Sequence, residues 1–283
     1  MTSTQAPEQV PRSSAPVPLL VGRRSSSGTA HTRLLLLHGL ASSGSVWEEA
    51  WTRLPEGLEV WTADLPWRGD HVLPWSRAAK QPDWLEAALG LVPGGADVVV
   101  AHSFSANLLL AFLSARAAAG DDVAARYGLR GIVFVSPFYR RSPDDFPWDT
   151  MAEMQGQFLH IMSEGIRTRS GERIDADLRH RMAERVCERV GAYGWLRFCD
   201  SYLRTPWLRT DLITFPSLVV CGSEDVATRE GELLAADLPT ARLHLFAGCG
   251  HYPMAERAQQ FADVVGAFLE DLPDASVPPR TAA

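Results

Sequence analysis

Lysine is nearly missing from this 283-residue chain: Lys80 is its only one. The remaining positive charge is arginine, scattered among a larger number of acids, and the formal net charge is −7. A nucleic-acid partner needs lysine and arginine clustered against phosphates, so this balance argues against one. Cysteine is scarce as well. Cys187, Cys199, Cys221 and Cys249 form no CxxC pair, which suits neither a zinc site nor a compact disulfide framework and points to a reducing compartment. No apolar run approaches the roughly eighteen residues that span a bilayer. The first residues lack the basic start and apolar stretch of a secretory signal. The expected location is therefore the cytoplasm, with no membrane partner, and no metal or cofactor motif is present. The Ser-, Thr-, Pro- and Gln-rich stretch 1–16 and the stretch 273–283 read as disordered tails.

What the chain does contain is an ordinary globular composition, 46% hydrophobic and 22% charged, with enough apolar residues for a sizeable core. Short apolar runs alternate with helical patterns. The runs are Leu34–Leu37, Leu58–Ala63, Asp97–Ala101, Gly131–Val135, Ser217–Val220 and Leu243–Phe246. Near-continuous apolar runs mark strands buried on both faces of a parallel sheet. Helical spacing appears over Trp84–Leu91, Ala106–Ala119, Glu230–Leu238 and Ala255–Leu269. This alternation implies right-handed βαβ units and an open, doubly wound α/β sheet. From Phe138 to Thr210 no strand pattern occurs; helical patterns at Trp148–Glu164 and Asp175–Val190 indicate a helical insert between two core strands.

The chemistry-bearing segment is Val98–Leu108, where a strand runs directly into a helix through Ser103. A small-x-Ser-x-small sequence at such a junction forces a sharp, strained turn that exposes the serine. Ala101 and Ser105 occupy the small positions, where glycine is usual. A serine hydroxyl needs a base, and the base needs an orienting acid. Of the eight histidines, His251 follows the last apolar run through a glycine-rich loop and precedes a helix, at the carboxyl end of a strand. Asp225 holds the equivalent place after Ser217–Val220; Glu224 is its rival, with Asp144 or Asp145 a more distant choice. Two backbone N–H groups would hold an oxyanion: Phe104, directly after the serine, and Leu40, in the loop His38-Gly39-Leu40.

These pieces together resemble the α/β-hydrolase fold family. The matching segments are LLLLHGLASSGSVW (34–47), ADLPWRGDH (63–71), VVVAHSFSA (98–106), PSLVVCGSED (216–225) and GCGHYPMAER (248–257). The resemblance implies a nucleophile at Ser103, an acid at Asp225, a base at His251 and an oxyanion donor at Leu40. It also implies a core over 17–137 and 211–272 with a helical cap over 138–210. Trp67 departs from the pattern, standing where a small residue is usual.

The cap and core offer Phe138, Trp148, Met154, Phe158, Trp195 and Phe198, with His38 and Tyr252, as walls of an apolar pocket for a small hydrophobic substrate. The expected activity is hydrolysis of an ester or related acyl bond through an acyl-enzyme. The alternatives are a lyase, cyclase, acyltransferase or C–C hydrolase using the same site, and a non-catalytic binding protein that keeps the pocket.

Overall fold

The computed structural model describes residues 19–24, 32–68, 75 and 82–273. The tails expected over 1–16 and 273–283 lie outside these, Pro273 excepted, as do Gly69, Asp70 and His71. Among the described residues no helix is long and apolar enough to cross a membrane.

The apolar runs pair into one seven-stranded sheet. Its strands are β1 (Leu19–Arg24), β2 (Arg33–Leu37), β3 (Glu59–Asp64), β4 (Val98–His102), β5 (Gly131–Val135), β6 (Ser217–Gly222) and β7 (Ala241–Phe246). The order across the sheet is β1-β3-β2-β4-β5-β6-β7; only β1 runs antiparallel, against β3. The doubly wound, mostly parallel sheet read from the sequence is thus what the chain forms. Every residue of β4, β5 and β6 is buried, because helices cover both faces. The edges differ. β1 was missed by periodicity: it is a short edge strand with Gly22 and two arginines, and its register slips between Gly22 and Arg24. β7 leaves Leu243 40% exposed, so it is not the doubly buried strand that its apolar residues suggested.

Six helices of ten residues or more lie among the described residues: α1 (Pro82–Leu91), α2 (Phe104–Ala118), α3 (Trp148–Ser170), α4 (Ala176–Leu203), α5 (Thr228–Asp237) and α6 (Ala258–Glu270). The pattern expected over Ala255–Leu269 divides at Arg257, where φ −131° and ψ 43° interrupt it, so that a four-residue turn at Pro253–Glu256 precedes α6. α3 and α4 arise between β5 and β6 and pack against each other, and α4 breaks at Gly191. α3 turns Met154, Phe158, Ile161 and Met162 inward, spacings of four, three and one that form one helical stripe.

Sheet order places the carboxyl ends of β2, β4, β5 and β6 side by side. Among the described residues, Ala41, Ser103 and Ser136 are the non-glycine residues with positive φ, at 58°, 53° and 51°. All three follow strands at this one rim. Such conformations are each unfavourable by about 1–3 kcal/mol and gather at functional sites.

Candidate active site

Ser103 caps α2 from the end of β4 with φ 53° and ψ −120°. Its N–H donates to the Val135 carbonyl at 2.8 Å, and its own carbonyl accepts from Ala106 and Asn107 at 2.8 and 3.2 Å. These bonds fix a turn that the residue would not otherwise adopt. Ala101 and Ser105 are fully buried, so only small side chains fit on either side.

Three side chains from three strand ends meet here. The Ser103 hydroxyl donates to His251 Nε2 at 3.0 Å, and His251 Nδ1 donates to Asp225 Oδ1 at 2.8 Å. A carboxylate accepts only, so the Nδ1 proton faces Asp225 and the Nε2 lone pair faces the serine. His251 and Asp225 are 1% and 6% exposed. Burial pushes the Asp225 carboxyl upward, but electrostatic attraction to the His251 ring, its hydrogen bond and the Ala227 N–H together hold it below the usual aspartate value. The rivals are placed elsewhere. Glu224 lines a surface hollow with His160, Glu164 and Arg167, and the Asp145 carboxylate closes a helical capping box with Ser142.

The loops carrying Asp225 and His251 are pressed together at Gly222. A Cβ there would lie 2.0 Å from the Cys249 carbonyl oxygen, a distance that only glycine permits. The Glu224 N–H donates to that same oxygen at 2.9 Å. The His251 carbonyl accepts from His102 Nε2 at 3.0 Å and from the Ser136 hydroxyl at 3.3 Å, and its N–H donates to Glu164 of α3 at 3.3 Å. His102, Ser136 and Glu164 were not among the sequence-derived site residues. His102 closes β4 directly before the serine, where its position in the chain does not reveal its partner. Glu164 belongs to a separate stretch of chain and carries none.

The loop after β2 comes equally close. A Cβ on Gly39 would lie 2.9 Å from His102 Nδ1 and 3.0 Å from Ser103 Cβ. Neither the Leu40 nor the Phe104 N–H has an acceptor among the described residues, and Phe104 opens α2, whose N-terminus carries partial positive charge. Two unengaged N–H groups beside a hydroxyl that is hydrogen-bonded to an imidazole have the geometry that suits a developing oxyanion. His38 stands beneath this loop. Its Nε2 accepts from the Leu65 N–H at 2.9 Å, so Nδ1 carries the proton and donates to the Gly39 carbonyl at 2.8 Å. Burial lowers its pKa to about 4, and burial, followed by electrostatic repulsion from the His251 ring, lowers that of His102 to about 3, so both rings are neutral near pH 7.

The pocket residues separate. Phe138, Met154 and Phe158 line a cavity of about 160 Å³ together with Arg140, Ile161, Tyr202, Val226 and Glu230. Phe138 is held in place by Asn107, which donates to its carbonyl at 2.7 Å and accepts from its N–H at 3.0 Å, and its ring centroid lies 5.7 Å from that of His251. Phe198 is buried solid between Phe104, Phe138 and Phe158, and Trp195 packs on Phe158; neither lines the cavity. Tyr252 packs against His102 and His251 and borders a different hollow. His38 is fully buried with both nitrogens engaged, so it supports the loop and forms no pocket wall. Trp148 is 83% exposed. Six residues before Met154 is about 240° around a helix, which carries Trp148 off the inward stripe.

The sequence model of the alpha/beta hydrolase family matches residues 34–264. The chain belongs to this family. It is 38% identical over 66 residues to the 2-hydroxymuconate semialdehyde hydrolase of Pseudomonas putida, a stretch covering 22% of this chain and 24% of that relative. Similar solved structures cover far more of the chain at lower identity. The meta-cleavage product hydrolase CumD of Pseudomonas fluorescens IP01 is 18% identical with a TM-score of 0.58, over 90% of this chain and 95% of that one. A putative lipase, lip1, of Acinetobacter baumannii AYE is 16% identical with a TM-score of 0.62, over 89% and 91%. An enzyme described as degrading N-acyl homoserine lactones, Est816, is 17% identical with a TM-score of 0.57, over 89% and 97%. At these identities the likeness is one of fold.

Proposed function

We propose that this α/β hydrolase uses Ser103 to cleave an ester or related acyl bond of a small hydrophobic molecule. The observation that carries the reading is the unbroken relay from the Ser103 hydroxyl through His251 to Asp225, at 3.0 and 2.8 Å. Ser103 Oγ attacks the substrate carbonyl as His251 Nε2 takes its proton. Asp225 keeps the ring in the tautomer that can accept and stabilises the imidazolium formed. The Leu40 and Phe104 N–H groups hold the oxyanion. His251 then returns the proton to the leaving group, and water, activated by the same ring, releases the acyl group from Ser103. The apolar part of the cavity, with Phe138, Met154, Phe158 and Ile161, suits a hydrophobic body; Arg140, Tyr202 and Glu230 line it as well.

A panel of p-nitrophenyl esters of increasing chain length, with fluorophosphonate labelling, tests the reading. Wild-type turnover abolished by Ser103→Ala, with label on Ser103, supports it. Absence of labelling in folded wild-type protein overturns it.

A second reading keeps the site and changes the bond. The P. putida relative is named for a semialdehyde substrate whose name contains no ester. Covalent labelling of Ser103 without ester turnover would favour hydrolysis of a carbon–carbon bond beside a carbonyl.

A further inference from the structure

Two residues that depart from the usual pattern, Ser105 in place of glycine and Trp67 in place of a small residue, converge on one atom. The Ser105 hydroxyl and the Trp67 indole N–H both donate to the carbonyl oxygen of His38, the indole at 3.1 Å. Trp67 then grips the same loop again, three residues later: its own carbonyl accepts from the Ala41 N–H at 2.9 Å. Leu40 lies between these two attachment points. Ala41, immediately after it, is held at φ 58°. A left-handed alanine persists only where its surroundings over-determine it, and here the bond to Trp67 is what holds its N–H. Trp67 is 1% exposed, and its ring meets Phe104 edge-on with centroids 5.3 Å apart. One tryptophan therefore holds the loop on either side of Leu40 and packs on the ring of Phe104.

We propose that Trp67 and Ser105 are positioning residues for oxyanion stabilisation: through the shared His38 carbonyl and the Ala41 N–H they set the direction in which the Leu40 N–H points. The inference rests on the acyl-transfer reading for its chemistry, but the positioning itself is independent of the substrate. Two donors on one carbonyl oxygen leave that peptide little freedom to rotate, and the adjacent peptide is the one carrying the Leu40 N–H. Ser105 then has a reason to be serine at a tight position, because its hydroxyl ties the start of α2 to the loop after β2. A misdirected N–H weakens binding of the transition state and leaves ground-state binding alone.

Trp67→Phe removes the indole donor and keeps a ring in the core; Ser105→Ala removes the hydroxyl with little change in volume. With an ester that the wild type hydrolyses, each variant should lower kcat roughly 10-fold at unchanged KM, and the pair should approach the ~100-fold loss seen when an oxyanion donor is removed. Ser105→Cys, retaining a weak donor, should recover part of the loss. Amide hydrogen exchange resolved by NMR should quicken at Ala41 and Ser42 in the double variant and stay unchanged in α6. A folded double variant with wild-type kcat overturns the proposal, and so does a kcat loss matched by an equal rise in KM. If the double variant fails to fold, Ser105→Ala alone decides by the same two readouts. If the wild type hydrolyses no ester, the acyl-transfer reading fails by itself; unchanged exchange at Ala41 then overturns the positioning, and faster exchange sustains it.

Discussion

The sheet rim and the helical insert are built on opposite terms. At the rim, Ser103, Asp225 and His251 are almost wholly buried. The first two follow strands paired on both sides, β4 and β6, and His251 follows the edge strand β7, paired with β6. In the insert, α3 and α4 present one inward stripe and leave Trp148 and Leu196 83% and 67% exposed. The rim holds its groups by backbone bonds and close approach, which tolerate little change. The insert holds its aromatic groups mainly by apolar contact, which tolerates repacking, although Arg140 and Tyr202 also bond each other and Glu230. Placement to within a fraction of an ångström is thus concentrated where the chain has least freedom.

The sharpest way to break this contrast is Asp225→Asn. The variant should remain folded while kcat falls by roughly 10⁴-fold, because the amide presents the wrong partner to His251 Nδ1; esterase assays beside a thermal melt check both parts. Acid is the next largest lever. His38 and His102 have folded pKa values of about 4 and about 3, below the ordinary 6.5. The unfolded chain therefore binds more protons in this range. Stability is complete above about pH 6.5 and is lost as the pH falls toward those folded values. Between pH 7 and pH 5 each ring should account for about 2 kcal/mol, about 4 together, measured by urea unfolding. His102→Gln should remove about half of that dependence.

Phe158→Ala, in the insert, should lower stability by about 3 kcal/mol, at the low end for buried aromatics, while Phe134→Ala in β5 should lower it by about 4 to 5. Equal losses in urea unfolding would erase the distinction between the two regions. At the small end, Trp148→Ser should change stability by less than about 0.5 kcal/mol, checked by the same titration; a larger loss would show that the outer face of α3 bears on the fold.

The parts of this molecule that were legible in the sequence are those that backbone periodicity controls. Leu34–Leu37, Val98–Ala101 and Gly131–Val135 announce buried parallel strands, and strand ends announce where Ser103, Asp225 and His251 lie. β1 was not legible, because six residues with a glycine and two arginines on a sheet edge carry no two-sided apolar signal. The pocket walls were only partly so. Helical spacing says that Met154 and Phe158 share a face, but Phe198 meets that face from another helix and fills space that the sequence alone could have left open. The support shell was least legible of all. His38 and Trp67 are 29 residues apart and meet through a backbone carbonyl, an atom every residue possesses.

The bond from His102 to the carbonyl of His251 has a mechanical consequence. His102, next to Ser103, is tied to the main chain of His251 across 149 residues of sequence. A displacement of either segment therefore strains a bond to the other, which opposes any change in the spacing between the Ser103 hydroxyl and the His251 ring.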